Sequence, residues 1–160
     1  MDDADTDLLC AFTVLGEAAP QGSKTRTKFG GIREANPRTR PWRQAVAAEA
    51  EYAMSERLPT SGPVELLIRY YFPRPLGHFG SGRNADLLKP SAPEHKLTAP
   101  DTSKLNRAAE DAMSGIVYRD DAQIVHTDAW KLYGSPARAE IEVRLLAHDR
   151  SPPREPLRAA

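Results

Sequence analysis

Between residues 64 and 72 the chain alternates: Val64, Leu66, Ile68, Tyr70 and Phe72 fall on one side, with Glu65, Arg69 and Tyr71 on the other. That period of two predicts a strand with one buried face. A second alternation, Ala139, Ile141, Val143 and Leu145 against Arg138, Glu140, Glu142 and Arg144, predicts a strand over 138–146. Residues 123–133 read as another strand, and Gly134-Ser135-Pro136 between the two reads as a hairpin turn. Near the start, Leu8, Cys10, Phe12 and Val14 predict a first strand ending near Gly16.

Helical spacing appears twice. Pro41 opens a helix through about Glu56, with Trp42, Val46 and Ala50 on one side. Asp101 stands at an N-cap position before a helix ending near Gly115, whose stripe is Leu105, Ala108, Ala109 and Ala112. Residues 73–100 are rich in proline and glycine without a steady period and read as a long excursion. The order β-α-β-α-β-β predicts an α+β fold, a mixed or mostly antiparallel sheet with two helices packed on it. We expect an acidic tail over 1–7, one domain over 8–146 and a proline-rich tail over 147–160.

Composition narrows the function. The 160 residues carry 22 basic and 22 acidic side chains, a formal net charge of zero. No apolar run approaches the ~20 residues of a membrane helix. Asp2, Asp3, Asp5 and Asp7 occupy a region where a secretion signal would be basic, so a cytoplasmic protein is expected. The lone cysteine, Cys10, excludes an internal disulfide and a cysteine zinc site. His78, His95, His126 and His148 show no metal-ligand spacing, and Gly80-Ser81-Gly82 lacks the helix and lysine of a phosphate loop.

The charge is unevenly distributed. Residues 24–43 hold Lys24, Arg26, Lys28, Arg33, Arg38, Arg40 and Arg43 against Glu34 alone. Gly30, Gly31, Pro37 and Pro41 punctuate this segment, which reads as an exposed loop leading into the first helix. Such a loop either solubilises the chain or contacts phosphates.

The densest chemistry lies between Pro100 and Lys131. If the second helix and the next strand pack as neighbours, Asp101 faces Asp121 with Asp120 nearby. Clustered carboxylates of this kind need a cation, and hard oxygens suit Mg²⁺ or Mn²⁺. The ordinary alternative is an N-cap at Asp101 and an exposed Asp120-Asp121 turn. Lys104, Arg107 and Asp111 share a helix face; they either form a solvated face, with Arg107 paired to Asp111, or direct the two cations at phosphates. By period two, Asp121, Gln123, Val125, Thr127, Ala129 and Lys131 share one strand face, and Lys131 is otherwise a snorkelling sheet lysine.

These residues resemble a known family. Pro100-Asp101-Thr102-Ser103-Lys104-Leu105-Asn106-Arg107, continuing to Gly115, and then Tyr118-Arg119-Asp120-Asp121-Ala122-Gln123-Ile124-Val125, resemble the RusA-like Holliday junction resolvases, including their phage and prophage branch. Pro20-Gln21-Gly22-Ser23-Lys24, Asn36-Pro37, Pro41-Trp42 and Lys131 extend the likeness over residues 8–146. The resemblance implies a homodimeric, Mg²⁺-dependent endonuclease (with Mn²⁺ as a substitute) that cuts four-way DNA junctions symmetrically in recombination and repair. By position it implies Asp101 and Asp121 as catalytic metal ligands with Asp120 beside them, and Arg107 and Lys131 as further catalytic groups. It also favours DNA contact by Lys24, Arg26, Lys28, Arg38, Arg40, Lys104 and Arg107.

Two positions depart from the family pattern. Ser103 stands where a second aspartate is usual, and a hydroxyl is a weaker, neutral ligand. Arg107 stands where lysine is frequent; it keeps the charge and grips phosphate bidentately but is a poor proton donor. The other reading is therefore a junction-binding protein that is catalytically impaired because its metal site is incomplete.

Overall fold

A computed structural model describes residues 6–22 and 24–146 of the chain. The expected C-terminal tail over 147–160 and most of the N-terminal one lie outside the described residues, and residues 6 and 7 already belong to a strand.

The main sheet has four strands, β1 (Thr6–Leu15), β4 (Val64–Phe72), β5 (Ile124–Tyr133) and β6 (Arg138–Leu146), in the order β1-β6-β4-β5. β6 pairs antiparallel with both β1 and β4, whereas β5 pairs parallel with β4. β1, β4 and β5 therefore run one way and β6 alone opposes them. Parallel strands need long crossovers. Here α1 (Thr39–Met54) lies between β1 and β4, and α2 (Thr102–Met113) between β4 and β5.

Both helices lie on one face of the sheet. Trp42, Val46, Ala50 and Met54 of α1 and Leu105, Ala108, Ala109 and Met113 of α2 are buried with Val64, Leu66, Ile68, Tyr70 and Phe72 of β4. Cys10, Val14, Ala139, Ile141 and Val143 extend this core, with Val117 and Tyr118 beyond α2. Alanine dominates the α2 stripe because a small side chain lets helix and sheet approach closely. The expected α+β fold is thus present, with α1 beginning at Thr39 and ending at Met54 rather than running from Pro41 to Glu56. Pro41 still sits in the first turn, where a missing N–H is harmless.

The expected β5–β6 hairpin does not form, because β4 lies between the two strands. Leaving β5, the chain crosses the end of β4, where Gly134 N–H donates to Phe72 O at 3.0 Å. It then descends the far edge of β4, pairing Arg138 with Tyr71. Two strand spacings, about 10 Å, fall within the reach of four extended residues. The crossing is close: a Cβ on Gly134 would lie 2.7 Å from Tyr71 Cδ1.

The basic segment is also more ordered than the expected loop. It contains an antiparallel ribbon of β2 (Lys24–Arg26) and β3 (Ile32–Glu34), closed by a turn in which Thr27 N–H donates to Gly31 O at 2.7 Å. The excursion over 73–100 folds back through 3-10 turns at Leu76–His78 and Gly82–Asn84. Arg74 supports it, donating to Pro93 O at 2.7 Å with its guanidinium 4.3 Å from the Tyr133 ring centre.

The core has a pH consequence. Burial pushes the Cys10 thiol up to about 11 and raises the phenols of Tyr70 and Tyr118, which donate to Asn106 Oδ1 and Glu110 O. Above about pH 9 the unfolded chain releases protons that the native chain keeps, so stability is complete below that pH and declines as pH rises. Urea unfolding at pH 8 and 10.5 should show a loss on the order of 2 kcal/mol from the thiol alone.

Candidate active site and nucleic-acid interface

The N-terminal end of α2 forms one cluster. Asp101 holds the N-cap position with extended backbone, but its side chain makes no capping hydrogen bond. Instead its carboxylate, 62% exposed, pairs with Lys104 Nζ at 3.1 Å. An ion pair this exposed adds little to stability. The carboxylate thus caps no helix N–H and stands open to solvent.

Lys131 belongs to the same cluster. It lies opposite Tyr70 in the β4–β5 register, and its Nζ donates to Thr98 O at 2.9 Å and Pro100 O at 2.8 Å. The ammonium thus ties down the segment that delivers Asp101 to α2. Burial and nearby Lys96 lower its pKa, while Asp101 opposes them. A sheet lysine and the aspartate at the N-cap position come near each other here because β5 ends beside the start of α2.

The Asp-Asp pair lies at the other end of α2, in a 3-10 turn at Asp121–Gln123. Asp120 accepts from Ala122 N–H at 2.8 Å, and Gln123 Oε1 accepts from Asp120 N–H at 2.9 Å, a reciprocal capping box. Gln123 Nε2 also donates to Thr60 O and Gly62 O, at 3.0 and 2.8 Å. Asp120 thereby shapes the turn, and Asp121 projects from it exposed. Half-buried Glu110 has its pKa raised first by desolvation and then by the charges of Asp121 and Asp111. Sequence reasoning placed Gln123 on a strand face without its bonds to the turn, and gave Glu110 no role. The Asp-x-x-Gln spacing signals a capping box for Gln123, whereas nothing local marks Glu110.

Two carboxylate groups therefore stand at opposite ends of one helix. Nine residues from Asp101 to Glu110 rise about 13 Å along α2. One chain places Asp101 with Lys104 and Lys131, and Asp121 with Glu110, rather than Asp101 facing Asp121. Among the described residues no three His, Cys, Asp or Glu side chains converge tightly enough to hold a metal ion. The donors suit a hard divalent cation in kind, and Asp101 and Asp121 are exposed to meet one. The expected shared strand face from Asp121 to Lys131 is interrupted, because Asp121 and Gln123 precede the strand and the register shifts beside Val125.

The basic residues spread along α2 and the elements beside it, with Arg40 and Arg43 facing its Asp111–Ala112 end rather than Asp101. Lys104 and Arg107 are exposed on α2. The expected Arg107–Asp111 pair is absent among the described residues; Asp111 instead accepts from buried Gln21 Nε2 at 2.5 Å. Gln21 N–H donates to Lys104 O at 3.0 Å, and Gly22 lies against the Lys104 stem, where a Cβ would come within 3.2 Å of Cδ. Pro20-Gln21-Gly22 thus fixes the base of the ribbon on the first turns of α2. Lys24, Arg26 and Lys28 extend from there exposed. Arg38 pairs with Glu17 at 3.5 Å, and Arg40 and Arg43 line an open groove of about 430 Å³ between α1 and α2.

The structure is thus a two-layer α+β domain with an exposed carboxylate near each end of α2 and a basic ribbon rooted on that helix's first turns. Comparison with known proteins assigns the class: residues 16–144 match the family Endodeoxyribonuclease RusA, and the chain belongs to it. The family is one of Holliday junction resolvase endonucleases. The chain is also similar to the uncharacterized protein YqaN of Bacillus subtilis (strain 168), 29% identical over 140 residues, covering 83% of this chain and 94% of YqaN.

Lys131→Met removes both carbonyl contacts ahead of Asp101. It should cost about 1–3 kcal/mol in urea unfolding and speed amide exchange over residues 96–104, with Lys131→Arg retaining most of the protection.

Proposed function

We propose that the protein is a homodimeric, Mg²⁺-dependent endonuclease that resolves four-way DNA junctions in recombination and repair. The observation that carries the reading is the family match over residues 16–144, which takes in the basic ribbon, α2 and the Asp120-Asp121 pair. Asp101 and Asp121 are the metal ligands, with Asp120 holding the turn that presents Asp121. Because the two ligands stand at opposite ends of α2, each site draws Asp101 from one protomer and Asp121 from its partner.

The chain's own groups supply binding and orientation. Lys24, Arg26, Lys28, Arg38 and Arg40 neutralise backbone phosphates, so affinity falls steeply with salt. Lys104 and Arg107 hold the phosphate next to the cut, Arg107 through its planar fork. Lys131 keeps Asp101 in place through the Thr98 and Pro100 carbonyls. A divalent cation bound by the carboxylates neutralises charge developing on the phosphate and makes the attacking water more acidic.

A labelled synthetic four-way junction incubated with protein and Mg²⁺ tests the reading; paired nicks support it. A shifted but uncut junction would favour an impaired binding protein, and no shift at all would exclude both. Asp101→Asn and Asp121→Asn should each reduce cutting at least 100-fold while binding stays within a few-fold. A heterodimer of the two variants should regain one intact site and nick a single strand. Sites built within one chain would leave it inactive.

Ser103→Asp should lower the Mg²⁺ concentration giving half-maximal cutting. An unchanged dependence would show that Ser103 is not at the metal.

A further inference from the structure

The ribbon carries a feature that phosphate binding does not explain. At its tip Phe29 is 100% exposed, and Ile32 on the returning strand is 69% exposed. The turn holding Phe29 out is well defined: Gly30 N–H donates to Thr27 O at 3.0 Å, and Gly31 N–H to Thr27 Oγ1 at 3.0 Å. Gly30 adopts φ +81°, a left-handed conformation suited to glycine, so the chain reverses immediately after Phe29. Exposed Lys24, Arg26 and Lys28 stand along the same ribbon.

A wholly exposed aromatic on a cationic ribbon matches one surface of DNA. Phosphates attract the lysines and arginine, while the apolar ring gains only where bases can be reached. In a continuous duplex the base faces are stacked away. At a branch point the stack is interrupted, and an apolar side chain can enter between base pairs. An aromatic ring then recovers the stacking that the bases lose, with little regard to sequence. The ribbon also has a fixed origin, since Gln21 N–H bonds Lys104 O in the first turns of α2. From there its tip reaches about 10–20 Å, which is a few nucleotides from Asp101.

We propose that Phe29 is a wedge that inserts into the base stack at the branch point of the bound junction and sets the distance from branch to scissile phosphate. The proposal rests on the junction-binding reading above and adds to it the group that distinguishes branched from continuous DNA.

The test uses a four-way junction with 2-aminopurine next to the branch, in EDTA so that nothing is cut. The full-length protein should raise the fluorescence several-fold at saturation. Phe29→Ala should lose most of that rise and at least tenfold in junction affinity, with affinity for plain duplex within twofold of the parent. Phe29→Trp should keep the rise, and Lys28→Ala should weaken binding yet keep the full rise at saturation. An undiminished signal from Phe29→Ala, or equal weakening on junction and duplex, would overturn the wedge while leaving junction binding intact. If the parent binds the junction no better than duplex, the underlying reading fails together with the wedge.

Discussion

Strand β4 buries Val64, Leu66, Ile68, Tyr70 and Phe72 to within 1% of full burial, while its edges bond β5 in parallel and β6 in antiparallel register. Every other placement follows from this double constraint. A parallel neighbour must arrive by a crossover, so α2 has to traverse the sheet between the end of β4 and the start of β5. The traverse sets the start of α2 beside the end of β5 and its last turns beside the 3-10 turn that precedes β5. The two groups of carboxylates inherit their positions from those two ends.

Hydrogen bonds then assign each polar residue a task. Lys131 reaches from β5 to the Thr98 and Pro100 carbonyls and anchors the approach to Asp101. Gln123 joins the Asp120 turn to the segment before β4 through Thr60 and Gly62. Gln21 roots the basic ribbon on α2 by its backbone to Lys104 and by its side chain to Asp111. The effect is to set Lys104 and Lys131 near the exposed Asp101 carboxylate without burying it. Neutrality of the whole chain conceals this separation of basic ribbon from acidic ends.

Legibility of the fold varied from element to element. The alternations over 64–72 and 138–146 showed both strands and their buried faces, and the Leu105–Ala112 stripe showed α2, because those patterns record which side meets the core. The 134–136 turn misled, since a short link between two strands reads the same whether they pair or straddle a third. The ribbon escaped notice because three-residue strands in a glycine-rich, charged stretch carry no period. Asp101, Asp120 and Asp121 stood out in the sequence as a group of carboxylates, but their partners did not: the cap forms at Asp120, not at Asp101, and Asp111 serves Gln21 instead of Arg107.

The sequence by itself determined the class of protein and the identity and order of the main elements, and it singled out the residues proposed to bear the chemistry. These are written locally, in periodicity, in caps and in the series from Pro100 to Val125. Tertiary structure alone decided that β6 lies between β1 and β4, that Asp101 and Asp121 stand apart along α2, and that Lys131 holds backbone carbonyls. Those outcomes depend on contacts between distant residues, of which Lys131 and Thr98, 33 positions apart, are one pair. Local pattern carries no term for such contacts; they are settled only when the helices close over β4.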